Sequence, residues 1–125
     1  MRLLLDTHVL LWLMDDNDRL KSRGRELVEA ASEVFASSAS IWEIAIKSRI
    51  GKIDANTDKL VALIAEAGLT ELPVTFRHAV ASGQLPLHHR DPFDRLLIAQ
   101  AVSEQLLFLT ADTQLRAYSE LVACV

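Results

Sequence analysis

Two runs constrain this chain more than any others: RLLLD at 2–6 and LLFLT at 106–110. Apart from Arg2, which opens the first, both are short and apolar until they end on a polar residue. A strand with one face in water alternates apolar and polar residues, whereas a strand apolar at every position is buried on both faces. Strands of that kind belong to parallel sheets covered by helices on both sides. The rest of the sequence supplies the helices. THVLLWLMDD opens one helical stretch from Thr7, and residues 20–32 form a second, amphipathic one. EVFASS (33–38) reads as another strand, followed by a helix over 40–52 that Gly51 stops. A helix over 58–68 ends at Gly68, TELPV (70–74) gives a weaker strand signal, and 75–85 reads as a short helix. Beyond the loop PLHHRDP comes the helix FDRLLIAQAVSEQ, then LLFLT, a helix at ADTQLRAY (111–118) and a last edge strand in LVACV. Trp12 and Trp42 read as core. No linker, repeat or low-complexity segment interrupts the pattern, so residues 1–125 are expected to form one α/β domain with a central parallel sheet.

Composition removes several classes of function. Half of the residues are hydrophobic, which is enough for a core and too many for disorder. The single cysteine, Cys124, can form no disulfide within the chain, in keeping with a reducing cytosol. MRLLLDTHVLLWLM is broken by Asp6 and lacks a small-residue cleavage site, so it does not read as a secretory signal. No apolar stretch approaches the length needed to cross a bilayer. The expectation is a soluble cytoplasmic protein. Net charge is −4, with 17 acidic against 13 basic residues. That is the wrong sign for a nucleic-acid binder unless several acids are gathered and neutralised by bound cations.

The acids are placed in a way that makes such gathering feasible. Asp6 closes the first strand, and Asp112 lies two residues past LLFLT. Glu43 is expected in the first turn of the helix after EVFASS, and Asp94 in the first turn of the helix after HHRDP. Ligands of an open parallel sheet bind outside the carboxyl ends of its strands, the edge to which all four acids belong. Taken singly, each acid reads more readily as a helix cap. Ser40 and Glu43 have capping-box spacing, Asp6 and Asp112 each precede a helix, and first-turn acids suit the helix dipole. Taken together, they point elsewhere. Carboxylates about 4 Å apart repel by roughly 4 kcal/mol per pair at an effective dielectric of 20, a cost that serine or asparagine caps avoid. Four acids on one edge make most sense around a doubly positive ion. An all-oxygen set points to Mg²⁺ or Mn²⁺ rather than zinc.

The blocks LLLDTHVLLW, SASIWEIAIK, DPFDRLLIAQA and LLFLTADTQL, in that order, resemble the PIN domain, and in particular the small single-domain toxins of the VapC type. The resemblance runs from residue 1 to about 118, and its most specific parts are the D-x-L-L-I-A-x-A run from Asp94 and the L-T-x-D that ends at Asp112. It implies a three-layer α/β/α sandwich and a metal-dependent endoribonuclease. Asp6, Glu43, Asp94 and Asp112 would be the quartet that binds Mg²⁺ or Mn²⁺ and carries catalysis. Thr7 and Thr110 match the hydroxyl residues that flank such sites. The resemblance also implies RNA as substrate, a cognate antitoxin protein as partner, and a homodimer.

Other charged residues divide between structural and substrate roles. Asp91, just before Pro92, is favoured as the N-cap of its helix. His88, His89 and Arg90 are adjacent and lack the i, i+4 spacing of a helical metal pair, so they read as loop residues, with phosphate contact as the functional alternative. Arg95 could share that contact. Arg19, Lys21, Arg23 and Arg25, and then Lys47, Arg49 and Lys52, form basic runs read by default as solvated faces. Two competing functions are a phosphoacceptor receiver domain and a PIN-like module that binds without cleaving. The first would need an aspartate closing a middle strand and a lysine closing the last, and EVFASS and LLFLT provide neither. The second should have lost an acid, and all four are present.

Overall fold

The computed structural model describes residues 1–125. Five strands form one fully parallel sheet in the order β3-β2-β1-β4-β5. They are β1 (Arg2–Leu5), β2 (Glu33–Ser37), β3 (Thr70–Leu72), β4 (Leu107–Thr110) and β5 (Val122–Cys124). The helices are α1 (Thr7–Met14), α2 (Ser22–Ala30), α3 (Ser38–Arg49), α4 (Thr57–Glu66), α5 (Phe76–Gln84) and α6 (Pro92–Glu104), with a 3₁₀ helix at Thr113–Tyr118. This sheet order differs from the 2-1-3-4-5 order of receiver domains, which sets that alternative aside.

The two apolar runs lie side by side at the centre. Leu3, Leu4 and Leu5 of β1 pair with Leu107, Phe108 and Leu109 of β4. Side chains alternate across the strand, so Leu3 and Leu5 enter one core and Leu4 the other. Leu109, Ala36, Val9, Leu10, Ile44, Leu60 and Ile64 fill the first, beneath α1, α3 and α4. Phe108, Phe35, Leu97, Ile98, Ala101 and Leu115 fill the second, beneath α6 and the 3₁₀ helix. A sheet with a packed core on each face is the α/β/α sandwich expected, and it explains why residues 3–5 of β1 and 107–109 of β4 are all apolar. No helix is long and apolar enough to cross a membrane.

The structure corrects the sequence reading at three places. Helix α3 starts at Ser38 and its N-cap is Ser37, whose hydroxyl accepts the Ala39 N–H at 3.0 Å, so Ser40 and Glu43 form no capping box. Serines at 37, 38 and 40 all suit a cap, and the strand runs directly into the helix at the first of them. Trp42 is not core but 60% exposed, with Phe93 edge-on to it at a centroid separation of 5.2 Å. ADTQLRAY forms a 3₁₀ turn rather than an α-helix.

Packing makes a direct prediction. Leu4→Ala should destabilise the protein by about 2–5 kcal/mol, because the fully buried Leu4 lies on the central strand between β2 and β4. Urea unfolding should show a lower midpoint with an unchanged slope. A cost below about 1 kcal/mol would contradict the packing described.

Candidate active site

The parallel sheet places the carboxyl ends of β1, β2 and β4 on one edge, and the four acids emerge there from separate segments. Asp6 is the innermost. Its backbone N–H continues the β1–β4 ladder to the Leu109 carbonyl at 2.9 Å, so the strand delivers it to a fixed point. Its carboxylate is fixed as well: Oδ1 accepts the Thr7 N–H at 2.7 Å and Oδ2 accepts the Thr110 hydroxyl at 2.6 Å. Thr110 also accepts the Asp112 N–H at 3.1 Å, which links Asp6 to the next acid. The Thr7 hydroxyl donates to Ser40 Oγ at 3.0 Å, tying the start of α1 to α3. Both threonines thus hold the scaffold of the cleft, Thr110 by direct contact with Asp6.

Glu43 reaches the cleft from the second turn of α3, not the first. It is buried, and Lys47 one turn later donates to Oε2 at 2.5 Å. That bond raises the Lys47 pKa, since removing the ammonium proton would break it. Oε1 is buried with no hydrogen-bond partner at all. An acceptor left in that state costs about 1–3 kcal/mol and calls for something positive beside it.

Asp91 is the N-cap of α6, its Oδ1 accepting the N–H groups of Phe93 at 2.8 Å and Asp94 at 3.2 Å, with Pro92 at the first helical position. Capping by Asp91 leaves the Asp94 carboxylate free to face the other acids. Burial raises the Asp94 pKa, and repulsion from Asp6, Asp91, Glu43 and Asp112 adds to it, bringing the value to about 8. Asp6 is raised too, chiefly by burial and against the pull of its two hydrogen bonds. Asp112 caps the 3₁₀ helix through Oδ1, which accepts the Gln114 N–H at 3.0 Å.

His89 is the residue that spacing missed. Its Nε2 lies 3.8 Å from Asp94 Oδ2 and 3.6 Å from Asp112 Oδ2. His89, Asp94 and Asp112 each bring a ligand-type atom within 4.8 Å of the others, a grouping that could hold a metal ion. The contact arises from loop folding rather than helical spacing. Its one sequence signal is the histidine's nearness to Asp94. Arg95, a candidate for phosphate contact, is instead engaged in the scaffold. It donates to the carbonyls of Ser82 at 2.9 Å, Leu85 at 3.0 Å and Pro86 at 2.8 Å. Arg25 is similarly tied to Asp16 and to the carbonyls of Leu20 and Asn17, which removes it from a free basic face.

The residues fit a hard divalent cation. They offer several carboxylate oxygens in a partly desolvated cleft, mutual repulsion that a cation would relieve, and one buried oxygen with no partner. Fold and site together define a parallel α/β protein with an acidic cleft at the carboxyl edge of its sheet. The chain belongs to the PIN domain family, whose model matches residues 3–121. Among solved structures, the chain is similar to VapBC2 from Rickettsia felis bound to a promoter DNA fragment, at 14% identity and a TM-score of 0.72, covering 100% of this chain and 98% of that one. It is also similar to DNA-bound VapBC from Salmonella typhimurium, at 17% identity and a TM-score of 0.67, covering 93% of this chain and 91% of that one. A third is VapC20 of Mycobacterium tuberculosis, a sarcin–ricin-loop-cleaving toxin, at 16% identity and a TM-score of 0.63, covering 94% of this chain and 97% of that one. Among curated proteins, no sequence matches this chain.

The strained carboxylate should be visible without any activity. Unfolded, Asp94 ionises near 3.8; folded, near 8. Between those values the folded state keeps a proton that the unfolded chain has released. The contribution to stability is therefore full below pH 4 and is lost as pH rises toward 8. Thermal melts in EDTA should show wild type losing stability across that window. Asp94→Asn, which removes this titration and leaves only that of Asp6, should give a shallower profile and melt higher than wild type at pH 8. Parallel profiles for the two proteins would refute the repulsion.

Proposed function

We propose that this chain is a metal-dependent endoribonuclease that uses Mg²⁺ or Mn²⁺ to hydrolyse RNA phosphodiester bonds. The observation that carries this reading is the gathering of Asp6, Glu43, Asp94 and Asp112 at one sheet edge, with Asp94 raised to about 8 and Glu43 Oε1 unpartnered. Acids kept only as caps would not leave two carboxylates so poorly satisfied. Asp6, Glu43 and Asp94 are the proposed direct ligands. Asp112 would hold the ion directly or through water, and Asp112 or Glu43 would orient the attacking water. A bound divalent cation supplies charge neutralisation on the phosphate and lowers the pKa of water.

The residues themselves supply pre-organisation. Thr110 and the Thr7 N–H hold Asp6 in one orientation, so no side-chain freedom is lost when the site fills. Lys47 neutralises one Glu43 oxygen and leaves the other, buried Oε1, without a partner. Asp91, as helix cap, fixes the α6 turn that carries Asp94. The presence of all four acids favours this reading over a PIN-like module that only binds.

We further propose that the nuclease is the toxin of a cytoplasmic toxin–antitoxin pair, with a cognate antitoxin and a homodimeric toxin as its states. The support is likeness to VapBC complexes and to FitAB bound to DNA. A cleft of about 750 Å³ between α1 and α4, bordered by Leu11, Trp12, Ile53, Leu60 and Leu63, is a suitable seat for an antitoxin helix.

The test is cleavage of structured RNAs by the purified protein. Cutting should require Mg²⁺ or Mn²⁺, stop with EDTA, and fall by at least about a hundredfold in Asp94→Asn, in line with the several kcal/mol a catalytic metal contributes. The variant should retain the wild-type circular dichroism spectrum. Cleavage that survives both EDTA and Asp94→Asn would sink the reading.

A further inference from the structure

His89 faces the acidic cleft but contributes no carboxylate to it. Its two ring nitrogens have different surroundings. Nδ1 accepts the Asp91 N–H at 3.0 Å. A backbone N–H can only donate, so Nδ1 is the bare nitrogen and the ring proton resides on Nε2. The nitrogen turned toward Asp94 and Asp112 is therefore a hydrogen-bond donor, with no lone pair for a metal. At 3.8 Å and 3.6 Å from those carboxylates, it is also too far to donate well to either. The cleft thus holds an unused acceptor, Glu43 Oε1, and an unused donor, His89 Nε2–H. A cation answers the first. The second needs a separate acceptor that arrives with the substrate.

The ring is held in place from the far end of the chain. The His89 N–H donates to the Tyr118 hydroxyl at 2.8 Å, and that hydroxyl donates to the His89 carbonyl at 3.2 Å. Arg95 donates to the same hydroxyl at 3.3 Å while it clasps the carbonyls at the end of α5. His88 stacks edge-on against the Tyr118 ring at 5.0 Å. These contacts fix the His89 backbone, and the Asp91 N–H on Nδ1 orients its ring. The side chain nevertheless stays 21% exposed, so a ligand can reach it.

We propose that His89 is a phosphate-binding residue, donating Nε2–H to a non-bridging oxygen of the RNA backbone, and that it is not a ligand of the cation. Tyr118 and Arg95 are its positioning residues. The inference rests on the nuclease reading for its substrate class. Its chemistry follows from the cleft, since a phosphate entering beside Asp94 and Asp112 meets like charge, and a hydrogen bond from the neutral Nε2–H to its ionised oxygen offsets part of that repulsion.

The test uses uridine 5′-monophosphate, which carries a phosphate but no phosphodiester bond to hydrolyse. Calorimetry would give the affinity for Mg²⁺ alone, and then for the nucleotide at saturating Mg²⁺. Wild type, His89→Ala, His89→Gln and Tyr118→Phe would be compared. Mg²⁺ affinity should stay within about twofold throughout. Nucleotide affinity should fall about tenfold in His89→Ala, recover in part in His89→Gln, whose amide N–H can still donate, and fall less in Tyr118→Phe. Three results would overturn the proposal: a tenfold loss of Mg²⁺ affinity in His89→Ala, unchanged nucleotide affinity in that variant, or no nucleotide binding by Mg²⁺-loaded wild type. If His89→Ala fails to fold, the glutamine and phenylalanine variants carry the same comparison. Because the probe is not cleaved, a wild type that binds it through His89 yet cuts no RNA would remove the nuclease reading and leave this one standing.

Discussion

Everything at this site depends on the burial of Asp6 at the end of the central strand. The two apolar runs pair as β1 and β4, which places the residue after β1 at the centre of the sheet's carboxyl edge. There it is 6% exposed. Burial disfavours its charge, and the Thr7 N–H and the Thr110 hydroxyl restore part of that loss. This balance is local, but it shapes the surroundings. A carboxylate already short of solvent makes each further acid nearby more costly, and Asp94 absorbs most of that cost.

The cleft can therefore be viewed as a fold that has accepted instability in one place. Each face of the sheet has its own core, so the framework can tolerate a repulsive edge. Helix starts do much of the positioning. Asp91 caps α6 and presents Asp94, while Ser37 caps α3 and leaves Glu43 free one turn further on. Lys47 is the one cation within hydrogen-bond reach of the acids, and it satisfies half of one carboxylate. What remains unsatisfied is a set of carboxylate oxygens of the hard, anionic kind that a divalent cation takes.

The sequence made the central strands legible because their apolar runs are too short for helices and are bounded by polar residues, and it made the acids legible because they fall at strand ends and helix starts. The Asp91–Pro92 cap was equally plain, since aspartate before proline has one strong local meaning. What escaped notice depended on contacts between distant segments. Three serines near the start of α3 each suit a cap, and only the length of β2 decides that Ser37 takes the position. Trp42 has the residue type of a core position, yet its place on α3 turns it outward against Phe93. His89 lacked any metal-like spacing because its approach to Asp112 depends on a hydroxyl from Tyr118, across the 3₁₀ helix. Arg95 reads in the sequence as a free cation, but the carbonyls of Ser82 and Leu85 at the end of α5 occupy it.

The most direct test of the central claim is a crystal of the protein soaked in Mn²⁺, with the ion located by its anomalous scattering. The account expects a peak bounded by Asp6, Glu43 and Asp94, with Glu43 Oε1 turned toward it and His89 Nε2 outside its coordination sphere. A well-diffracting crystal with no peak in the cleft at millimolar Mn²⁺ would contradict the claim that these acids are a cation site.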